Sequence, residues 1–440
     1  MVGGDAAGTS AALQARRLVP DLEIVVVERG QFTGYSPCGI PFLLSGRVRA
    51  AGDLVIRPAE ELRSMRIDVR TGHEVVGLDL AARRAEIHNL THGRSFQLGF
   101  DFLLLATGAR PRRPQLPGFD LPHVHGVRTL DDATKLIEAL GGQPTARVAV
   151  IGSSPAAVGL AEGLKRRGAS VTVLEAGPEV LPQFDPDMAA PLARRMRESG
   201  ITVEVGVTAT AIGEGSLETS AGELRADLVV LGEGVVANSE LGATAGLLTG
   251  SDGALVVDRR QRASIEGVWA AGDCCQSVHR VSGSPTYQAL GPVAAKQGRV
   301  AGINLAGGYA TFPGVLGTSI TEVYELQIGR TGLSGLEAEA AGFSALFASV
   351  ESVTSERYVP GACPTTVKLV AEQGTGRLLG VQSVGGPGSA KRVDVVAAAL
   401  AGGLSVDDLV DLDLGYSPGL ATVWDPLQAA ARLLAREIQP

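Results

Sequence analysis

The stretch Gly3-Gly4-Asp5-Ala6-Ala7-Gly8, within MVGGDAAGTSAALQARRL (1–18), together with LEIVVVERG (22–30), decides the fold. Glycine at the first and last positions of the hexapeptide permits a tight turn and close helix–strand packing. The segment from about Gly8 to Leu18 has helical spacing, and the apolar run ending at Glu28 reads as a buried parallel strand. The helix start presents N–H groups and the positive end of its dipole to a pyrophosphate. Ala7 and Gly8 lie at that start. Asp5 stands where a second glycine often sits, so the turn alone is a weak signal. Glu28 strengthens it, lying 28 − 8 = 20 residues past the last glycine, at a strand end where a carboxylate accepts from ribose hydroxyls. A turn of this kind normally follows a strand of about five residues. Two residues precede Gly3, so the sequence predicts a first strand without its start and missing pairing in mid-sheet.

The unit recurs about 150 residues on. ARVAVIGSS (146–154) is a strand entering a turn, AAVGLAEGLKRRG (156–168) is helical, and ASVTVLEAG (169–177) is a strand ending near Glu175. The turn is Gly152-Ser153-Ser154-Pro155-Ala156-Ala157. Alanine is tolerated at Ala157, whereas Ser154 sets a side chain toward the pyrophosphate. Glu175, 175 − 157 = 18 residues past Ala157, has no arginine beside it. A carboxylate there favours a free 2′-hydroxyl and repels a 2′-phosphate, so the second site is expected to take NADH, with NADPH the poorer ligand.

The fold class that follows is α/β, with two Rossmann-like dinucleotide-binding domains and a C-terminal α+β domain. FDFLLLATGARPRRP (100–114) and GVWAAGDCC (267–275) read as strands running into turns of the first domain. TVKLVAE (366–372) and GRLLGVQSVGG (376–386) read as antiparallel strands, and 391–414 as two helices. The expected boundaries are 1–112 with 252–322 for the first domain, 113–251 for the second and 323–440 for the third.

Composition agrees with several domains. The chain has 440 residues, 45% hydrophobic and 20% charged, with 58 glycines and only 4% aromatics. A net charge of −8 argues against nucleic acid as a partner. No run reaches 18 apolar residues, so no membrane span or secretory leader is expected. Cysteines at 38, 274, 275 and 363 make no disulfide framework in a chain of this length, which points to a reducing cytoplasm. No Cys/His spacing suits a metal.

Cys38 sits in GYSPCGIPF (34–42), and no second cysteine lies within six residues. A helix beginning there would favour its thiolate. Its chemistry must run through one sulfur, as a mixed disulfide, sulfenic acid or persulfide. Cys274 and Cys275 read as packing.

These segments, with LLLATGARP (103–111), KQGRVAG (296–302), KRVDV (391–395) and YSPGLATVWDP (416–426), resemble the flavin-dependent pyridine nucleotide–disulfide oxidoreductases. The likeness is to their single-cysteine branch of CoA-disulfide reductases and NADH oxidases. It implies FAD in the first domain, with Gly3, Ala7, Gly8, Glu28, Arg29, Val75, Thr107, Gly108, Asp273 and Leu290 beside it. It implies NADH at Gly152, Ser154, Ala157, Glu175 and Gly234, and a homodimer built on the third domain. Gln14 and Arg17 match CoA contacts. Tyr358 and Tyr416 match tyrosines that reach the partner subunit's cysteine site. All six histidines lie at or before 279, so the third domain offers tyrosine rather than histidine as an acid. The implied activity is hydride transfer from NADH through FAD to Cys38, which reduces a small disulfide, CoA disulfide foremost. The alternatives are an NADH oxidase or peroxidase using a Cys38 sulfenic acid, and a flavoprotein with impaired NADH binding that acts as a binding or sensing module. Pro155 in place of a flavin-covering aromatic, and Gly159 in place of a glutamate, depart from the family pattern.

Overall fold

The computed structural model describes residues 1–141 and 145–438. Residues 1–3 are paired on both sides, short as the segment is. Val2 bridges in parallel to Val27 on one side and Leu105 on the other. The Val2 and Gly3 N–H groups donate to Leu104 O and Val27 O, each at 2.8 Å, and Ala106 N–H donates to Val2 O at 2.8 Å. The expected gap in the sheet is therefore absent: residues 1–3 occupy its central position. Strand Val25–Glu28 pairs outward with Asp68–Thr71, and Leu103–Leu105 with Val268–Ala270, all in parallel. The buried Met1 amine donates to Val25 O at 2.8 Å, and burial lowers its pKa to about 5.

Helix Ala6–Leu18 begins two residues earlier than its spacing predicts. It buries Ala7, Gly8, Ala11, Ala12 and Ala15, an almost entirely small-residue face. That face meets helix Gly291–Leu305 backbone to backbone. A Cβ at Gly298 would come within 2.2 Å of Ala7 O, and one at Gly302 within 2.4 Å of Ala11 O. The KQGRVAG segment thus keeps two helices in contact over the first turn.

The second sheet is parallel, in the order 202–205, 170–175, 147–151, 228–231, 124–126. Its inner strands are apolar runs, unbroken over 148–151 and Leu228–Leu231, because both faces are covered there. Helix Pro155–Arg166 leaves the central strand Arg147–Ile151. The third sheet is antiparallel, in the order 319–323, 326–332, 378–385, 364–372, 345–353. Helices Val393–Gly402, Val406–Val410 and Pro426–Ile438 complete that unit. Lys368, buried, pairs with Asp185 and Asp187 at 2.9 Å each, and Asp185 N–H donates to Gln382 Oε1 at 2.7 Å. These bonds fix the third sheet against the second unit. Among the described residues no helix is long and apolar enough to cross a membrane.

Candidate active site

The first glycine turn is dictated by space. Gly3 adopts φ +103°, and a Cβ there would lie 2.1 Å from Ala106 O. A Cβ on Gly8 would lie 1.9 Å from Gly3 O. Glu28 closes the turn: its carboxylate accepts from Gly4 N–H and Gly30 N–H, both at 2.7 Å. Asp5 does not obstruct the cradle, because its carboxylate turns to accept from Tyr35 N–H at 3.2 Å. Desolvation and the nearby Glu28 push the Asp5 carboxyl up to about 7, against the pull of that bond and of Arg128. Beside the turn lies a cavity of about 240 Å³ lined by Glu28, Arg29, Tyr35, Asp131 and Lys135. Arg29 also reaches Glu74 at 3.4 Å. The Val75 side chain packs with Val27 and Ile87 in the core and lines neither this cavity nor the larger one.

Asp273 is the most telling residue. It is 8% exposed, and its Oδ2 pairs with Arg128 while its Oδ1 is buried without any protein partner. Desolvation holds the carboxyl above its usual range, and Arg128 opposes this. The chain continues from Asp273 into a turn, so Asp273 is not a helix cap. A buried carboxylate oxygen left open is an acceptor for a hydroxyl. The glycine turn, Glu28 and this acceptor together fit the pyrophosphate, ribose and ribityl chain of FAD. Thr107 and Gly108 follow strand Leu103–Leu105. Thr107 Oγ donates to Asn238 O at 2.5 Å, and Asn238 N–H donates to Gly108 O at 2.9 Å. Arg128 was not predicted. It is a lone arginine in a loop before helix Leu130–Leu140, and no spacing rule marks it.

The second turn repeats the first. Gly152 has φ +90°, and Glu175 accepts from Ser153 N–H at 3.1 Å and Gly177 N–H at 2.8 Å. These are the bonds that Glu28 makes, one residue past the first glycine and two past the acid. Ser153 Oγ also donates to Glu175 and accepts from Leu181 N–H at 3.0 Å. Ser154 is the N-cap, its Oγ accepting from Ala157 N–H at 3.3 Å. Its effect is therefore more than bulk: it occupies one of the helix donors a pyrophosphate would use. Ala157 is buried under Gly232. The residues fit NADH, with that donor already engaged.

A cavity of about 640 Å³ opens beside the second turn, lined by Cys38, Arg128, Ser154, Pro155, Gly234 and Leu290 among others, and it meets the first site at Arg128, whose side chain pairs with Asp273. Cys38 is exposed, in the turn Pro37–Gly39 that leads directly into helix Ile40–Leu44. Cys274 and Cys275 are buried, Sγ to Sγ 3.6 Å, and Cys363 is half-buried in the third unit. Tyr358 and Tyr416 are exposed and lie together with Glu356. Desolvation and bonds shared with Tyr358 and Glu356 hold the Tyr416 hydroxyl above the usual phenol range. Neither tyrosine lines the Cys38 cavity of its own chain. Gln14 is half-buried and Arg17 exposed on the first helix, and the structure brings neither into that cavity. Among the described residues no cluster could hold a metal ion.

Residues 1–298 match the pyridine nucleotide-disulphide oxidoreductase family, and residues 318–426 match the dimerisation domain of that family. The chain belongs to this family, and is an FAD-dependent oxidoreductase that draws on a nicotinamide cofactor. It is 32% identical over 437 residues to an NADH oxidase of Methanocaldococcus jannaschii, covering 98% of this chain and 97% of the relative. It is 33% identical over 438 residues to an NAD(P)H coenzyme A polysulfide/persulfide reductase of Pyrococcus horikoshii, covering 99% and 97%. Among solved structures, an NAD-dependent persulfide reductase from A. fulgidus superposes with a TM-score of 0.95 at 33% identity, over 99% of this chain and 82% of that one.

Proposed function

We propose that this chain uses NADH to reduce a low-molecular-weight disulfide through Cys38, with CoA disulfide as the preferred substrate. The observation that carries the reading is an exposed thiol opening on the same cavity as the second nucleotide turn and Arg128, the residue paired with Asp273, with no second cysteine among the residues lining it. Bound FAD supplies a two-electron carrier between nicotinamide and sulfur. Glu28, Asp273 and Arg128 hold it, and Glu175 orients the adenosine ribose of NADH. The Cys38 thiolate attacks one sulfur of the disulfide, forming a Cys38–S–S–R mixed disulfide and releasing one thiolate. Two electrons then cleave that bond, freeing the second thiolate and restoring Cys38. The balance is NADH, a proton and RSSR in, NAD⁺ and two RSH out. The leaving thiolates need a proton donor, and no histidine lines the cavity. The exposed Tyr358 and Tyr416 of a second copy, brought over in a homodimer, fill that role.

One sulfur equally permits oxygen or peroxide to be reduced through a Cys38 sulfenic acid, and the two relatives are named as an NADH oxidase and as an NAD(P)H coenzyme A polysulfide/persulfide reductase. Incubation of the oxidised enzyme with CoA disulfide, followed by non-reducing digestion, separates them. The expected result is a CoA adduct on the Cys38 peptide that disappears on addition of NADH. No adduct at Cys38, or one that NADH leaves in place, contradicts disulfide reduction.

A further inference from the structure

Helix Ile40–Leu44 carries Cys38 at its entry and has only five residues. A helix this short is unstable by itself, and its last carbonyls have no intrahelical donors. The second unit supplies what it lacks. Helix Pro155–Arg166 lies against it through two glycines. A Cβ at Gly163 would stand 2.7 Å from Pro41 O and 3.1 Å from Leu44 Cβ, and one at Gly159 would stand 3.1 Å from Pro41 Cγ. Gly159 thus seats the cysteine helix where a glutamate would intrude. At the C-cap of the longer helix, Arg167 donates from Nε to Leu44 O at 2.6 Å and from Nη2 to Leu43 O at 3.3 Å. A cation at a helix C-terminus is also favoured by the helix dipole. Arg166, its neighbour, turns the other way, pairing with Glu162 and lying 4.3 Å from the Tyr324 ring centroid.

One helix therefore has the nicotinamide turn at its start, at Ser154 and Pro155, and the cysteine helix fastened to its end. We propose that Arg167 is a positioning residue for Cys38: by capping the cysteine helix it fixes the thiol in the cavity beside the nicotinamide turn. The proposal rests on Cys38 being the electron exit. Arg167 is exposed at the surface, so its contribution lies in the two bonds and not in core packing.

The test compares FAD-loaded wild type, Arg167→Ala and Arg167→Lys in three measurements. Amide hydrogen exchange over residues 38–48 should be at least about tenfold faster in Arg167→Ala and partly restored in Arg167→Lys, because one lysine donor still reaches a carbonyl. Turnover of CoA disulfide should fall at least about tenfold in Arg167→Ala and recover in step with the exchange. Flavin reduction by NADH should stay within about twofold, since Arg167 lies at the far end of the helix from the pyrophosphate turn. Three results overturn the proposal: unchanged exchange, unchanged disulfide turnover despite faster exchange, or flavin reduction falling in proportion to turnover. A Cys38→Ser control run alongside distinguishes the two claims. Retained disulfide turnover in that variant removes Cys38 as the exit, while the exchange data still report whether Arg167 holds the helix.

Discussion

Replacing Cys38 with serine is expected to cut disulfide turnover at least about 10³-fold, the scale on which loss of a nucleophile acts. A serine hydroxyl is not ionised near neutral pH and forms no disulfide, so neither half of the exchange can run. Cys38 lies outside the glycine turns, Glu28 and Asp273, so FAD should remain bound and NADH should still bleach it. Cys363→Ser is the control. Cys363 is half-buried in the third unit, its Sγ 3.3 Å from Gly361 O, and turnover there should stay within about twofold of wild type. Steady-state turnover with CoA disulfide measures both. Full activity in Cys38→Ser ends the single-sulfur mechanism.

Gly8→Ala should have the largest effect on the fold. The added methyl would sit 1.9 Å from the Gly3 carbonyl oxygen, a rigid backbone atom, with the Ala106 side chain 3.6 Å away. Relief requires the first helix to lift from the sheet, yet that helix is locked backbone to backbone against Gly298 and Gly302. The cost should reach or exceed about 3 kcal/mol, the upper end of ordinary overpacking. That corresponds to a fall in melting temperature of about 6 °C or more. The pyrophosphate cradle is displaced as well, so flavin occupancy should drop. Gly52→Ala meets nothing within 4 Å and should change stability by less than about 0.5 kcal/mol. A Gly8→Ala protein that melts like wild type and keeps its flavin would show that the turn is looser than its geometry demands.

The two nucleotide turns were legible because glycine spacing and a distant acid report one geometry together. Glu28 and Glu175 make equivalent pairs of bonds to their turns, which is why both fall near the same offset. Asp5 weakened the pattern on paper. In space its carboxylate is drawn aside by Tyr35 N–H, a partner 30 residues away that no local rule reveals. The pairing of residues 1–3 was hidden for a related reason. Strand length is a statistical habit, whereas pairing needs only neighbours, and three residues flanked on both sides fill the position. Ser154 was read as bulk, and its larger consequence is a hydrogen bond to Ala157 N–H. Arg128 was invisible because a loop arginine gains meaning only when Asp273, 145 residues later, folds against it. The contact between the nicotinamide helix and the cysteine helix was equally hidden. Gly159 looked like a departure from a pattern, and its reason is the Pro41 ring 3.1 Å from where its Cβ would be.

The central claim is that electrons enter from NADH and leave through Cys38. Anaerobic titration of the FAD-loaded enzyme tests it most directly, following flavin absorbance with NADH, with NADPH and after addition of CoA disulfide. NADH should bleach the flavin, NADPH at the same concentration should not, and one equivalent of disulfide should restore the colour. Because Ser154 occupies a helix donor, half-saturation by NADH should be high. Ser154→Gly should lower it roughly 5–150-fold, the equivalent of about 1–3 kcal/mol. If millimolar NADH bleaches neither wild type nor Ser154→Gly, the enzyme has no electron source in NADH. Disulfide reduction then fails, and a flavin-binding module takes its place.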